Sequence, residues 1–183
     1  MKRFFMMARV AIASTVVLGL GVVLVSLSAS SCVGAGEDET FACPNHDVFI
    51  NSVSPYLERR CGTLDCHGQI TRPMRIFGQV GLRHADEKTF PGSNVATTTR
   101  ELEANFAAVC NVDPEAMQEV VEDRGASADK LLIVNKARGL ERHKGGKIVN
   151  EQDPGDRCIT GWLRLSPAAQ VETDCNLAIT PLK

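Results

Sequence analysis

Apolar side chains recur at four-residue intervals from His46 to Arg60. Phe49, Val53 and Leu57, with Tyr56 beside them, predict one buried stripe of a helix. Pro55 interrupts it, so the element is expected either as a kinked helix or as a turn from which a fresh helix starts at Pro55. The basic pair Arg59 and Arg60 suits the C-terminus of such a helix. From Gln69 to Asn94 the pattern is irregular and punctuated by Gly81, Pro91 and Gly92, which predicts a long loop with one short strand around Arg75 to Phe77. Periodicity returns at Thr98-Thr99-Arg100-Glu101, a capping box, where Leu102, Phe106 and Cys110 share a helical face through Val109. Asp113-Pro114 and Asp153-Pro154 each open a helix by placing proline directly after an N-cap. The first of these turns Met117, Val120 and Val121 inward, and the second turns Cys158, Ile159, Trp162, Leu163 and Leu165 inward before Ser166-Pro167 ends it. A short helix is expected between them, from Ser127 or Asp129 through Leu131, Leu132 and Val134, with Gly139 stopping it. The pattern predicts a small, mainly α domain with long loops and no internal repeat.

The N-terminus lies outside this fold. Lys2, Arg3 and Arg9 precede an uncharged apolar run from Val10 to Leu27, and the small residues Ser28 to Ser31 lead to Cys32, which reads as an export segment over residues 1–31. Small residues directly before a cysteine resemble the lipobox of bacterial lipoproteins, which implies cleavage before Cys32 and lipidation of its thiol. Ala29 stands where a lipobox usually has leucine. The apolar run is also nearly long enough to span a bilayer, which leaves an uncleaved anchor, or a plain secretory signal, as alternatives. All three place the domain outside the cytoplasm, in the bacterial periplasm or at the outer-membrane surface. Residues 32–44 are small, polar and acidic and read as a flexible tether, and residues 45–183 as one domain.

Cleavage before Cys32 leaves 17 Lys+Arg against 22 Asp+Glu, a net charge of −5 that gives no reason to expect a nucleic-acid partner. Beyond Cys32 there are six cysteines, at 43, 61, 66, 110, 158 and 175, in a chain bound for an oxidising compartment. One or two disulfides are expected, with Cys175 pinned most simply to Cys158 or Cys43.

Cys61-Gly62-Thr63-Leu64-Asp65-Cys66-His67-Gly68 is the stretch with specific chemistry. Two cysteines followed at once by histidine is the arrangement that attaches c-type haem: each thiol adds to a vinyl group and the adjoining imidazole reaches the iron. The usual spacing is C-x-x-C-H, and here four residues separate the thiols. On a regular helix, residues five apart lie about 140° around the axis, so neither two thioethers to one porphyrin edge nor a Cys61–Cys66 disulfide is possible unless the stretch loops. Gly62 eases that loop. The geometry leaves both chemistries open: covalent haem with His67 as proximal ligand, or a local disulfide beside an exposed histidine. As a zinc set, Cys61, Cys66, His67 and His143 have unfavourable spacing for an exported chain. His46 and His84 read as solvated. No nucleophile–base pair or phosphate-binding glycine loop is visible.

Val53-x-Pro55-x-Leu57, Cys66-His67-Gly68, Ser127-x-x-Lys130-Leu131-Leu132, His143-x-Gly145-Gly146, Asp156 and Trp162-Leu163 together resemble the monohaem cytochrome c domains abundant in planctomycetes and myxobacteria, over most of residues 45–166. The resemblance implies a small cytochrome c-like helical fold, covalent haem c at Cys61 and Cys66, His67 on the iron, and an electron carrier with a redox partner protein rather than an enzyme. Multihaem class III cytochromes c use the wider C-x-x-x-x-C-H spacing at some of their haems. Many single-haem domains place a distal methionine near the closing helix, where this chain has His143-Lys144-Gly145-Gly146. The resemblance therefore implies His143 as distal ligand, with Met74 and Met117 as competitors. Arg142, Lys144 and Lys147 suit haem propionates, an acidic redox partner, or simply solvent. The alternative to the carrier is a haem-free, disulfide-stapled lipoprotein of the same fold with a binding or structural role.

Overall fold

The computed structural model describes residues 42–84, 90–91, 93 and 95–182. The export segment, Cys32 and most of the tether lie outside the described residues. Residues Thr40–Lys183 group as one unit. Helix dominates it: α1 (His46–Val48) runs through a π-helical stretch (Phe49–Val53) into α2 (Ser54–Arg60), followed by α3 (Thr99–Cys110), α4 (Pro114–Glu122), a 3₁₀ turn (Ala128–Lys130), α5 (Leu132–Ala137), α6 (Pro154–Leu163), α7 (Ala168–Ile179) and a closing 3₁₀ turn (Thr180–Leu182).

Pro55 neither kinks the first segment nor restarts it after a turn. The chain widens by one residue ahead of the proline, Ser54 N–H donating to the Phe49 carbonyl, and Pro55 then falls in the first turn of α2, where its missing N–H costs nothing. The stripe Phe49, Val53, Tyr56 and Leu57 is buried as its spacing predicts. It packs on α6 and α7, which form a helical hairpin closed by the Cys158–Cys175 disulfide. Phe49 lies 5.0 Å from Trp162 and 5.4 Å from Phe106, ring centre to ring centre, and the Trp162 indole donates to the Asn45 carbonyl at 2.9 Å. A second disulfide, Cys43–Cys110, ties the start of the domain to the end of α3. The two disulfides are compatible with a location outside the cytoplasm, and among the described residues no helix is long and apolar enough to cross a membrane.

Several expectations require correction. No strand forms around Arg75 to Phe77; the described residues hold one isolated bridge, Phe77 to Leu82. Beyond Ser166-Pro167, where the sequence pattern assigns no element, the chain forms helix α7, its buried positions Val171, Cys175, Ala178 and Ile179 recurring at helical spacing. Leu165 is 45% exposed, because the chain turns there with φ of 54° and points it away from the hairpin. His46 keeps 42% of its side chain exposed, as expected, while its ring packs against Phe106 and hydrogen-bonds Glu103, and the His84 ring lies over Phe77 at 4.2 Å.

Helix α3 carries the largest surprise. Its innermost face is Glu101, Asn105 and Val109, with Cys110 also buried, while Leu102 and Phe106 flank that face half-buried. The polar pair points inward because the irregular 77–84 segment needs partners. Asn105 hydrogen-bonds both the N–H and the carbonyl of Phe77, at 2.6 and 2.9 Å. Arg83, buried, grips Glu101 through two parallel bonds of 2.8 and 2.9 Å, and its remaining donors reach Ser93, Val95 and Ala96. Burial pushes the Glu101 carboxyl up, but the bonds from Arg83, the Thr98 N–H and the His84 N–H outweigh it and hold the group down at about 2.

A carboxyl depressed from 4.5 to about 2 stabilises the fold above pH 4.5 and loses that contribution as the pH falls towards 2. Glu101→Gln leaves Arg83 buried without a counter-charge and is expected to destabilise the domain by about 3 kcal/mol at neutral pH. The gap between the two proteins, measured by urea unfolding, should narrow between pH 4.5 and 2; a constant gap would show that the pair is not ionised in the native state.

Candidate functional site

Helix α2 delivers the chain to Cys61, which caps it; the N–H groups of Cys61 and Gly62 both bond the Leu57 carbonyl at 2.8 Å. The chain then folds back on itself. His67 N–H donates to the Cys61 carbonyl at 2.8 Å, and the N–H groups of Cys66 and Gly68 converge on the Thr63 carbonyl at 2.9 Å. The segment loops, as the five-residue separation of the thiols requires. Gly62 serves this loop by close approach and not by a left-handed backbone: a Cβ there would lie 2.7 Å from the Glu58 carbonyl oxygen. Gly68 and Gly81 press on the same spot, where a Cβ would lie 2.2 and 1.8 Å respectively from the Gly62 carbonyl oxygen. Arg72 closes the loop from outside through bonds to the Cys66 and Asp65 carbonyls at 3.0 and 3.4 Å.

This loop forms one wall of a cavity of about 560 Å³, within the range of cofactor and ligand sites. Cys61, Cys66, His67 and His143 all line it, and the rest is largely apolar, from Leu57, Met74, Val112, Leu132, Ile133, Ile148 and Ile159. Cys61 and Cys66 carry free thiols, while the other four described cysteines are consumed by the two disulfides. The local Cys61–Cys66 disulfide is not formed. Burial pushes the Cys61 thiol up to about 12, so it is not an activated nucleophile of the kind found in disulfide oxidoreductases.

The two histidines face one another, their ring centres 6.0 Å apart and their planes within 18°. Each is held through Nδ1, which must donate because its partner is a carbonyl: His67 to Met74 at 2.9 Å and His143 to Gly146 at 3.2 Å. That fixes the tautomer and leaves the Nε2 lone pair of each ring available, the arrangement in which metal-ligating histidines are found. Burial lowers the pKa of His67 against the opposing effect of the Met74 bond, with His143 and Arg72 adding to the depression, so the neutral, ligating form is favoured.

The residues fit a haem. The cavity is apolar enough for a macrocycle, and both thiols open onto it. Among the described residues no group of three or more His, Cys, Asp or Glu side chains converges as a metal cage. Met74 lines the cavity, and its backbone carbonyl holds His67. Met117 is fully buried in the core and does not line the cavity. Arg142 and Lys144 line it; Lys147 does not and lies against Gly139. Cys32 falls outside the described residues. Arg60, Arg72 and Lys136 also line the cavity, unmarked by any motif, and Gly68 meets Gly81 behind the loop. For Lys136 the sequence carries no signal; Gly68 and Gly81 were visible as glycines, but not as neighbours.

Compared with protein-family models, curated proteins and solved structures, the chain matches none.

Gly81→Ala would drive a methyl into the Gly62 backbone, which cannot yield as a side chain would, and is expected to destabilise the domain by about 3 kcal/mol or more. Gly146→Ala is the comparison: φ is 69° but nothing lies within 4 Å, so the cost should be about 1 kcal/mol, from backbone strain alone. Denaturant titration of the two variants gives the ranking, and equal costs would refute the close contact.

Proposed function

We propose that the domain is an extracytoplasmic, membrane-tethered electron carrier of the cytochrome c kind, with haem c joined to Cys61 and Cys66 by thioether bonds, His67 as proximal ligand and His143 as distal ligand. One observation carries the reading: the only two free thiols among the described residues open, with the adjoining imidazole, onto a single apolar cavity. When bound, the haem supplies reversible one-electron chemistry at its iron.

The chain's own residues do the rest. Cys61 and Cys66 fix the group covalently on a loop that glycine packing and Arg72 make rigid. Met74, through its carbonyl, orients His67 and raises the electron density on the ligating nitrogen. Leu57, Ile133, Ile148 and Ile159 exclude water, which favours the less charged form of any redox centre placed among them. Two histidine ligands favour a lower potential than histidine with methionine. Lipidation at Cys32, with the acidic segment after it as tether, would hold the domain at a membrane within reach of a redox partner protein. A carrier needs no substrate-handling acid or base, and none is required here.

Production of the full chain together with a haem-maturation system should give a coloured protein whose absorption spectrum shows a six-coordinate haem and whose denatured mass is increased by one haem. A colourless protein with Cys61 and Cys66 joined as a disulfide would leave the haem-free, disulfide-stapled lipoprotein as the reading. In the coloured protein, His143→Ala should convert the iron from low to high spin without loss of the covalent mass; an unchanged spectrum would remove His143 from the iron.

A further inference from the structure

The cavity is largely apolar, and the charges that line it are mostly of one sign. Five cations line it, Arg60, Arg72, Lys136, Arg142 and Lys144, against one carboxylate, Asp65. Two of the five are already committed to the fold: Arg60 donates to the Ile148 carbonyl at 3.0 Å, and Arg72 to the carbonyls of Cys66 and Asp65. The other three belong to α5 and the turn after it. Lys136 Nζ lies 3.4 Å from the Arg142 carbonyl and only loosely, at 3.7 Å, from Glu141, while the Arg142 and Lys144 side chains meet no carboxylate among the described residues. Positive charge left unneutralised beside a low-dielectric wall interacts strongly with an anion brought onto that wall.

We infer that Lys136, Arg142 and Lys144 form the subsite for the carboxylate edge of the cavity's ligand, so that the ligand enters with its apolar body against α5 and α6 and its acidic groups towards the turn that carries His143. This rests on the porphyrin reading above and adds a polarity to it: the thiols stand on the 61–68 loop, where Arg72 holds Cys66, and the three cations on α5 and the 140s turn, which Lys136 holds. A ligand with an apolar body and no acidic edge would fill the same walls but leave Arg142 and Lys144 without a carboxylate and Lys136 with only the loose one of Glu141. The same cations facing an acidic protein surface instead would bind nothing inside the cavity, and the experiment separates the two.

The test uses the full chain prepared without haem and metal-free deuteroporphyrin, as the diacid and as its dimethyl ester. This porphyrin has neither vinyl groups for Cys61 and Cys66 nor a metal for the histidines, so binding reports the cavity walls and the rim charge alone. Quenching of Trp162, the single tryptophan in the chain, one turn along α6 from the cavity-lining Ile159, follows occupancy. The diacid is expected to bind about tenfold more tightly than the ester, and the variant Lys136→Gln/Arg142→Gln/Lys144→Gln to reduce that ratio to about two, with binding of the ester unchanged. Equal binding of diacid and ester, no binding of either, or a preference that survives the triple substitution would overturn the inference. Failure of the haem reading looks different: the diacid preference would persist while the chain made with the maturation system carried no covalent haem.

Discussion

Everything at the site depends on how closely three stretches of backbone approach one another behind the thiol loop. The Gly62 carbonyl sits where side chains on Gly68 and Gly81 would have to be, so the chain leaving α2, the chain leaving the histidine and the chain leaving Phe77 occupy one point. Backbone in contact with backbone has no rotamers to relax, and a contact of this kind holds position better than a packed side chain can. The loop therefore presents Cys61, Cys66 and His67 from a fixed base. Its orientation towards the cavity follows from that base, from the Met74 carbonyl on the imidazole and from Arg72 on the Cys66 carbonyl.

The base in turn is supported from α3. Phe77 and the chain around it lack regular hydrogen-bonded structure, and Asn105 supplies both of the bonds that a strand partner would have given to Phe77. Arg83 and Glu101 then pin the far end of the same segment, in a pair that is buried on both sides. Buried ion pairs contribute little net stability compared with well-packed apolar residues, but they discriminate strongly against other arrangements of the chain. Here the arrangement protected is the path of an irregular loop, where apolar packing alone would have admitted several.

Helix patterning made most of the fold legible in the sequence, and the exceptions have physical causes. The stripe Phe49, Val53 and Leu57, the capping box at Thr98 and the cap-then-proline starts at Asp113 and Asp153 are local signals, and the helices begin where these stand. Helix α3 was placed correctly and rotated incorrectly, because Glu101 and Asn105 read as outward residues until their partners, Arg83 and Phe77, are known to lie beside them. Such partners are distant in sequence, and periodicity carries no information about them. Helix α7 was missed although Val171, Cys175 and Ala178 mark it; the proline before it reads as an end when it is in fact a beginning. At the site, the residues with distinctive chemistry, Cys61, Cys66, His67 and His143, were visible as candidates. That they line one cavity is implied by the family resemblance alone and not by any local pattern, since the two histidines are separated by 76 positions and meet only through the fold. The same holds for the cations: Arg142 and Lys144 reach the cavity and Lys147 does not, a distinction that a run of basic residues cannot express.

The raised pKa of Cys61 has a consequence for the order in which the molecule matures. Disulfide exchange proceeds through thiolates, and burial pushes the Cys61 thiol up to about 12, which disfavours that form. Once α2 and the loop behind it are in place, Cys61 is kinetically silent among six cysteines in an oxidising compartment. Cys43, Cys110, Cys158 and Cys175 are consumed in the two disulfides, and the fold itself acts as the protecting group for the Cys61 thiol.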